Sequence, residues 1–175
     1  MTKIEWMETL GWDESQIEDI RFLGYHYIRQ GKYDIARVFF EGIIAFVADR
    51  PLQSQLSYDF ETLGAIYLQL GNNARALRYL ERALRMDSKN TIAALNKVKA
   101  LLALRRTESA LVLARKLTKS KDNIVRDRAE ALIMGQKLKE ARRIEQELSA
   151  VAGRSPQLSS AQRDSDDAQF LEGAT

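Results

Sequence analysis

One spacing pattern, used more than once, constrains this chain more than any other feature. LGYHYIRQGKYDIARVFF (residues 23–40) and LGAIYLQLGNNARALRYL (residues 63–80) share Leu-Gly, a Tyr three residues past the Gly, a second Gly, then Ala and a large apolar residue at matching intervals. In the first copy Ile17, Ile20, Leu23, Gly24, Tyr27 and Ile28 recur at three- and four-residue steps, as one face of a helix requires. Gly31 ends that helix and Asp34 is placed to cap the next, whose apolar residues are Ala36, Val38, Phe39, Phe40, Ile43, Ile44 and Val47. Each copy therefore reads as a helical hairpin. A glycine inside a helix costs about 1 kcal/mol relative to alanine, so Gly24 and Gly64 need a physical reason. That reason is close approach: each leaves room where the second helix of its hairpin must press in. Ala36, Ala76 and Ala110 supply small contacts on that second helix, while Tyr27, Tyr67, Phe40 and Leu80 fill the space beside them.

This layout resembles the tetratricopeptide repeat, with its W-x2-L-G-x2-Y, A-x3-F and closing Pro over a 34-residue period. Residues 17–50 carry Ile20, Leu23-Gly24, Tyr27, Ala36 and Phe40 at the motif positions. Residues 57–90 carry Phe60, Leu63-Gly64, Tyr67, Gly71, Ala76, Leu80 and Ala83, then Asp87-Ser88 where Asp-Pro would stand. One period beyond Ala76 lies Ala110, so residues 91–124 form a third copy, with Val98 for the Gly and Leu101 for the Tyr. Gly24 and Gly64 are 40 residues apart; the excess coincides with PLQSQL and is read as a loop insertion at residues 51–56. The fold class implied is all-α: repeat hairpins stacked in a short right-handed solenoid, with terminal capping helices.

The flanks extend the helical reading. Residues 1–16 form an amphipathic helix on Ile4, Met7 and Leu10, and WDESQI offers Asp13 as N-cap with Gln16 three residues on, Trp12 and Ile17 forming a staple. Residues 125–152 carry the apolar stripe Ala129, Leu132, Ile133, Leu138, Ala141, Ile144 and Leu148, a capping helix or a hairpin broken near Gly135 or Gln136. Residues 153–175 lose periodicity and fill with Ser, Asp, Gln and Gly, as a disordered tail does.

Chemistry is harder to find. The chain has no cysteine, so thiolate metal sites and disulfides are excluded. His26, the sole histidine, has no catalytic nucleophile or second ligand near it in the sequence. No phosphate-binding glycine loop occurs, and Asp164, Asp166 and Asp167 lack the Gly and closing Glu of a calcium loop. No enzymatic activity and no cofactor are expected. No apolar run is long enough to span a bilayer and no secretory leader is visible, which suits the cytoplasm. Charge is uneven: residues 1–62 hold 6 basic and 11 acidic side chains, residues 97–147 hold 14 and 7. The basic stretch lacks aromatic residues and interleaves acids, so a nucleic-acid partner is the lesser reading.

In repeats of this family the first helix of each hairpin lines a groove. The resemblance therefore implies a partner surface of Arg21, Tyr25 and Ile28, then Tyr58, Glu61, Ala65 and Leu68, then Leu95, Lys99 and Leu102, with Glu18 and Ile92 on the same stripes. Members that grip the C-terminal carboxylate of heat-shock chaperones use Lys, Arg and Asn clamps, but Tyr25, Thr62 and Ile92 occupy such places here. The mixture suits an apolar helix or extended segment instead. Three repeats, an amphipathic N-terminal extension and a terminal helix also resemble the small chaperones of type III secretion. Those shield an apolar segment of a translocator or needle subunit before export, sometimes with a small helical co-chaperone. A general scaffold or assembly factor is the alternative, and self-association through the N-terminal helix is a further expectation.

Overall fold

The computed structural model describes residues 6–47 and 53–152. All regular structure among the described residues is helical: α1 (Trp6–Leu10), α2 (Glu14–Arg29), α3 (Tyr33–Val47), α4 (Gln53–Gln69), α5 (Asn73–Met86), α6 (Thr91–Ala103), α7 (Thr107–Leu117) and α8 (Asn123–Ala152). Two units divide the chain, residues 1–135 and residues 136–175. In the first, α2 packs on α3, α4 on α5 and α6 on α7, and the hairpins are joined through α3–α4, α5–α6 and α4–α6.

Steric fit accounts for the glycines. A Cβ placed on Gly24 would lie 2.7 Å from Phe40 Cε2, and one on Gly64 would lie 2.6 Å from Leu80 Cγ. Contacts that short do not occur in packed interiors, so the helix-propensity cost of each Gly is the lesser cost. In the third hairpin the volumes are exchanged. Val98 stands where the Gly would be and Ala114 where Phe40 or Leu80 would be, and both are fully buried.

The turns follow the same register. Gly31 and Gly71 adopt φ of +72° and +73°, and seven residues past Val98 the matching position is Arg105, at φ +57°. Glycine enters that region freely, whereas any other residue is strained there. Asp13 forms the expected capping box: its carboxylate accepts from the Ser15 N–H at 2.7 Å, and Gln16 Oε1 accepts from the Asp13 N–H at 2.8 Å. Asn72 and Asn90 cap α5 and α6 in the same manner, accepting from the Arg75 and Ala93 N–H groups.

Several boundaries differ from expectation. The N-terminal helix over residues 1–16 is interrupted at Gly11, which adopts φ +62°, and residues 1–5 lie outside the described residues. Helix α3 starts at Tyr33, so Asp34 sits in its first turn and not at the cap. The loop insertion at 51–56 is half wrong: Gln53–Leu56 already belong to α4. Leu56, Phe60 and Leu63 share one helical face and are buried, and the Ser57 hydroxyl donates to the Ala83 carbonyl at 3.1 Å, anchoring that early turn. No break occurs at Gly135 or Gln136, because α8 is helical through both. Its Val125 and Ala129 are buried and Leu132 and Ile133 pack partly against the core. Residues 153–175, read as a tail, lie outside the described residues.

Candidate functional site: the face of α2, α4 and α6

The first helices of the three hairpins meet edge to edge. Helices α4 and α6 pack directly, while α2 is tied to α4 by polar side chains. Arg21 makes a two-pronged contact with Asp59, Nε to Oδ1 at 2.8 Å and Nη2 to Oδ2 at 2.7 Å, and Asp59 is fully buried. Such a fork-to-fork pair fixes both distance and angle between two helices. Hydrogen bonding to Asp59 holds the guanidinium well above its ordinary range, against the opposing cost of burial. Glu18 and Gln55 complete its donor set. Next along the face, the Tyr25 hydroxyl and Thr62 Oγ1 lie 3.2 Å apart, and the Tyr25 ring meets Phe40 edge-on. Burial raises the Tyr25 phenol, with the Thr62 hydrogen bond opposing.

Further along, the face turns apolar and partly desolvated. Tyr58 is 56% exposed, Tyr25 41% and Ile92 37%; Ile28, Ala65, Leu68 and Leu102 are half-buried. Glu61 is half-buried too, and loss of solvent pushes its carboxyl up, with Asn90 opposing that shift. Lys99 donates to Asn96 Oδ1 at 3.2 Å, and its ammonium is pushed down by burial and then by the neighbouring charge of Arg128. A partly desolvated cation beside another cation favours an incoming acidic group.

Most of the expected residues are exposed or half-buried on α2, α4 and α6, but Leu95 and Arg21 are engaged within the chain. Leu95 is 1% exposed and belongs to the core, because α4 and α5 both pack on α6 and cover that side of it. Arg21 is committed to Asp59, so its charge is already met within the chain. Sequence reading overlooked Asp59, Asn90 and Asn96, polar residues buried along the same face. The available signal for Asp59 is a single charge set between the aromatic residues Tyr58 and Phe60; its partner has no local signal. His26 is exposed with its ring edge-on to Tyr27. Among the described residues no group of three or more His, Cys, Asp or Glu is disposed to hold a metal, and no helix is long and apolar enough to cross a membrane.

Residues 67–125 match the family model described as Tetratricopeptide repeat. Those residues are tetratricopeptide repeat sequence, about a third of the chain. No curated protein sequence matches it. Among solved structures it is similar to the Hsp90 co-chaperone Cns1 from Saccharomyces cerevisiae at 17% identity and a TM-score of 0.68, covering 79% of this chain and 45% of that one. It thus spans less than half the length of that co-chaperone. It is also similar to the Yersinia enterocolitica type III secretion chaperone SycD in complex with a peptide of the translocator YopD, at 24% identity and TM-score 0.59, over 72% of this chain and 95% of that one. A third is the first repeat domain of Spaghetti (RPAP3) bound to the Hsp90 peptide SRMEEVD, at 16% identity and TM-score 0.59, over 71% and 96%. At these identities the likeness is one of fold.

Proposed function

We propose that this chain is a tetratricopeptide repeat protein and a protein-binding module, whose α2–α4–α6 face takes an apolar, sparsely acidic segment of a partner, in the manner of a type III secretion chaperone holding a translocator or needle subunit before export. The observation that carries the reading is the row of exposed Tyr25, Tyr58 and Ile92 beside half-buried Ala65, Leu68 and Leu102 on adjoining helices. Covering such a row removes apolar area from water, worth about 25 cal/mol per Å² before ordering costs. Lys99 and Arg128 would meet an acidic side chain at one end of the segment. Neighbours with bound peptides of two kinds, from a translocator and from Hsp90, support segment binding in general. The residues favour the first kind: Tyr25, Thr62 and Ile92 stand where a carboxylate clamp would need Asn or basic groups, and Arg21 is already paired. The role is one of binding and needs no cofactor; the cytoplasm is where such a role is exercised.

A direct test sets the translocator YopD peptide against SRMEEVD in fluorescence-anisotropy titrations at low and high salt. Preference for the apolar translocator peptide, largely retained at high salt and lost in Tyr58→Glu with Ile92→Glu, is the expected result. Preference for SRMEEVD, abolished by salt, would overturn it in favour of an Hsp90-type scaffold.

A further inference from the structure

The second unit carries an apolar face of its own. Between Gln136 and Ala152, Leu138 is 56% exposed, Ile144 48%, Leu148 66% and Val151 71%. With Ala141 they fall on one side of the helix at about 100° per residue. On the opposite side Arg143 pairs with Glu140 at 2.7 Å and with Glu147 at 3.6 Å. Lys137 and Glu145, which lie within the apolar stripe, enter no ion pair among the described residues. Two opposite charges set within an apolar face ask for a partner carrying the reverse arrangement.

That arrangement is the helix itself, turned round. Ala141 is a centre of pseudo-symmetry: Leu138 and Ile144 lie three residues to either side, and Lys137 and Glu145 four. We infer that residues 136–152 pair with the same residues of a second copy of this chain, antiparallel and crossing at Ala141. Each Lys137 then meets Glu145 of the other copy, each Leu138 meets Ile144, and the two alanines allow close approach of the backbones. Parallel pairing would instead set Lys137 on Lys137 and Glu145 on Glu145, which like-charge repulsion disfavours. The pairing uses none of the residues of the α2–α4–α6 face and does not depend on how that face is used.

The test is sedimentation equilibrium of the full chain, with charge-swapped variants. A monomer–dimer equilibrium is expected, weakened about 100-fold by Ile144→Glu, which places a charge in the seam. Lys137→Glu should weaken it about tenfold, since two attractive contacts become two repulsive ones, and adding Glu145→Lys should restore it. The chain lacks cysteine, so mixed Lys137→Cys and Glu145→Cys chains should cross-link to each other in preference to themselves. A chain monomeric at every concentration would overturn the inference, as would a dimer indifferent to Ile144→Glu or a double swap that fails to restore pairing. Dimerisation appearing only after removal of residues 153–175 would also overturn it, assigning the face to the chain's own terminus.

Discussion

In the second hairpin a glycine on α4 lies under Leu80 of α5; in the third, Val98 on α6 and Ala114 on α7 hold the same two positions, both fully buried. The motif's most recognisable residue is absent from the third hairpin, yet its packing logic is retained with large and small exchanged between the helices. What the repeat conserves is summed volume at a crossing, not a residue type. The two hairpins also differ at the turn, where Gly71 is relaxed at positive φ and Arg105 is not. They differ again in how they are joined to their neighbours. Helix α4 packs on α6 directly, but it meets α2 through the Arg21–Asp59 bridge.

The junctions provide the largest test. Arg21→Ala leaves Asp59 buried without its partner and should cost about 3 kcal/mol in urea unfolding. Replacing both residues with Met and Leu should recover most of that loss; equal damage from single and double variants would mean the bridge does not set the junction. Next in size, Gly64→Val forces a side chain into Leu80 and should cost about 2 kcal/mol. Adding Leu80→Ala imports the third hairpin's arrangement into the second, and a positive coupling in the four-member cycle would establish the exchange of volumes. Strict additivity would refute it.

Smaller effects sharpen the comparison. Arg105→Gly should raise stability by about 1 kcal/mol, because it relieves a left-handed residue where the other hairpins have glycine. The same change at an ordinary helical site would be destabilising. The smallest effect belongs to Glu61, whose carboxyl burial pushes up. The folded state then favours the neutral acid, so its contribution is full below the unfolded carboxylate range and is lost as pH rises through the folded value. Glu61→Gln should therefore stabilise the protein modestly near neutral pH, with the difference from wild type closing below about pH 4. A difference independent of pH would show that charge at Glu61 is not the cause.

Much of this was legible beforehand because helical periodicity and small–large packing are local properties. Gly24, Gly64, the capping box at Asp13 and the turn at Gly31 follow from spacing alone. Pro51 suggests a loop that would include Leu56, whereas the helical spacing of Leu56, Phe60 and Leu63 is what the structure follows. The repeat spacing places Leu95 on the face, but packing of α4 and α5 on α6 encloses it, a matter of tertiary register in the copy with the weakest motif. The Arg21–Asp59 bridge lay beyond reach for the same reason: nothing local indicates that two side chains 38 positions apart meet across two helices.

Whether the α2–α4–α6 face holds an apolar partner segment, as proposed, is decided by capture of binding proteins from the native cell under a high-salt wash, comparing wild type with Tyr58→Glu and Ile92→Glu in one chain. Wild type is expected to retain one protein in stoichiometric amount, and the variant, equally helical and equally stable, to lose it. Equal retention by the variant would rule the face out and move the binding surface elsewhere on the molecule.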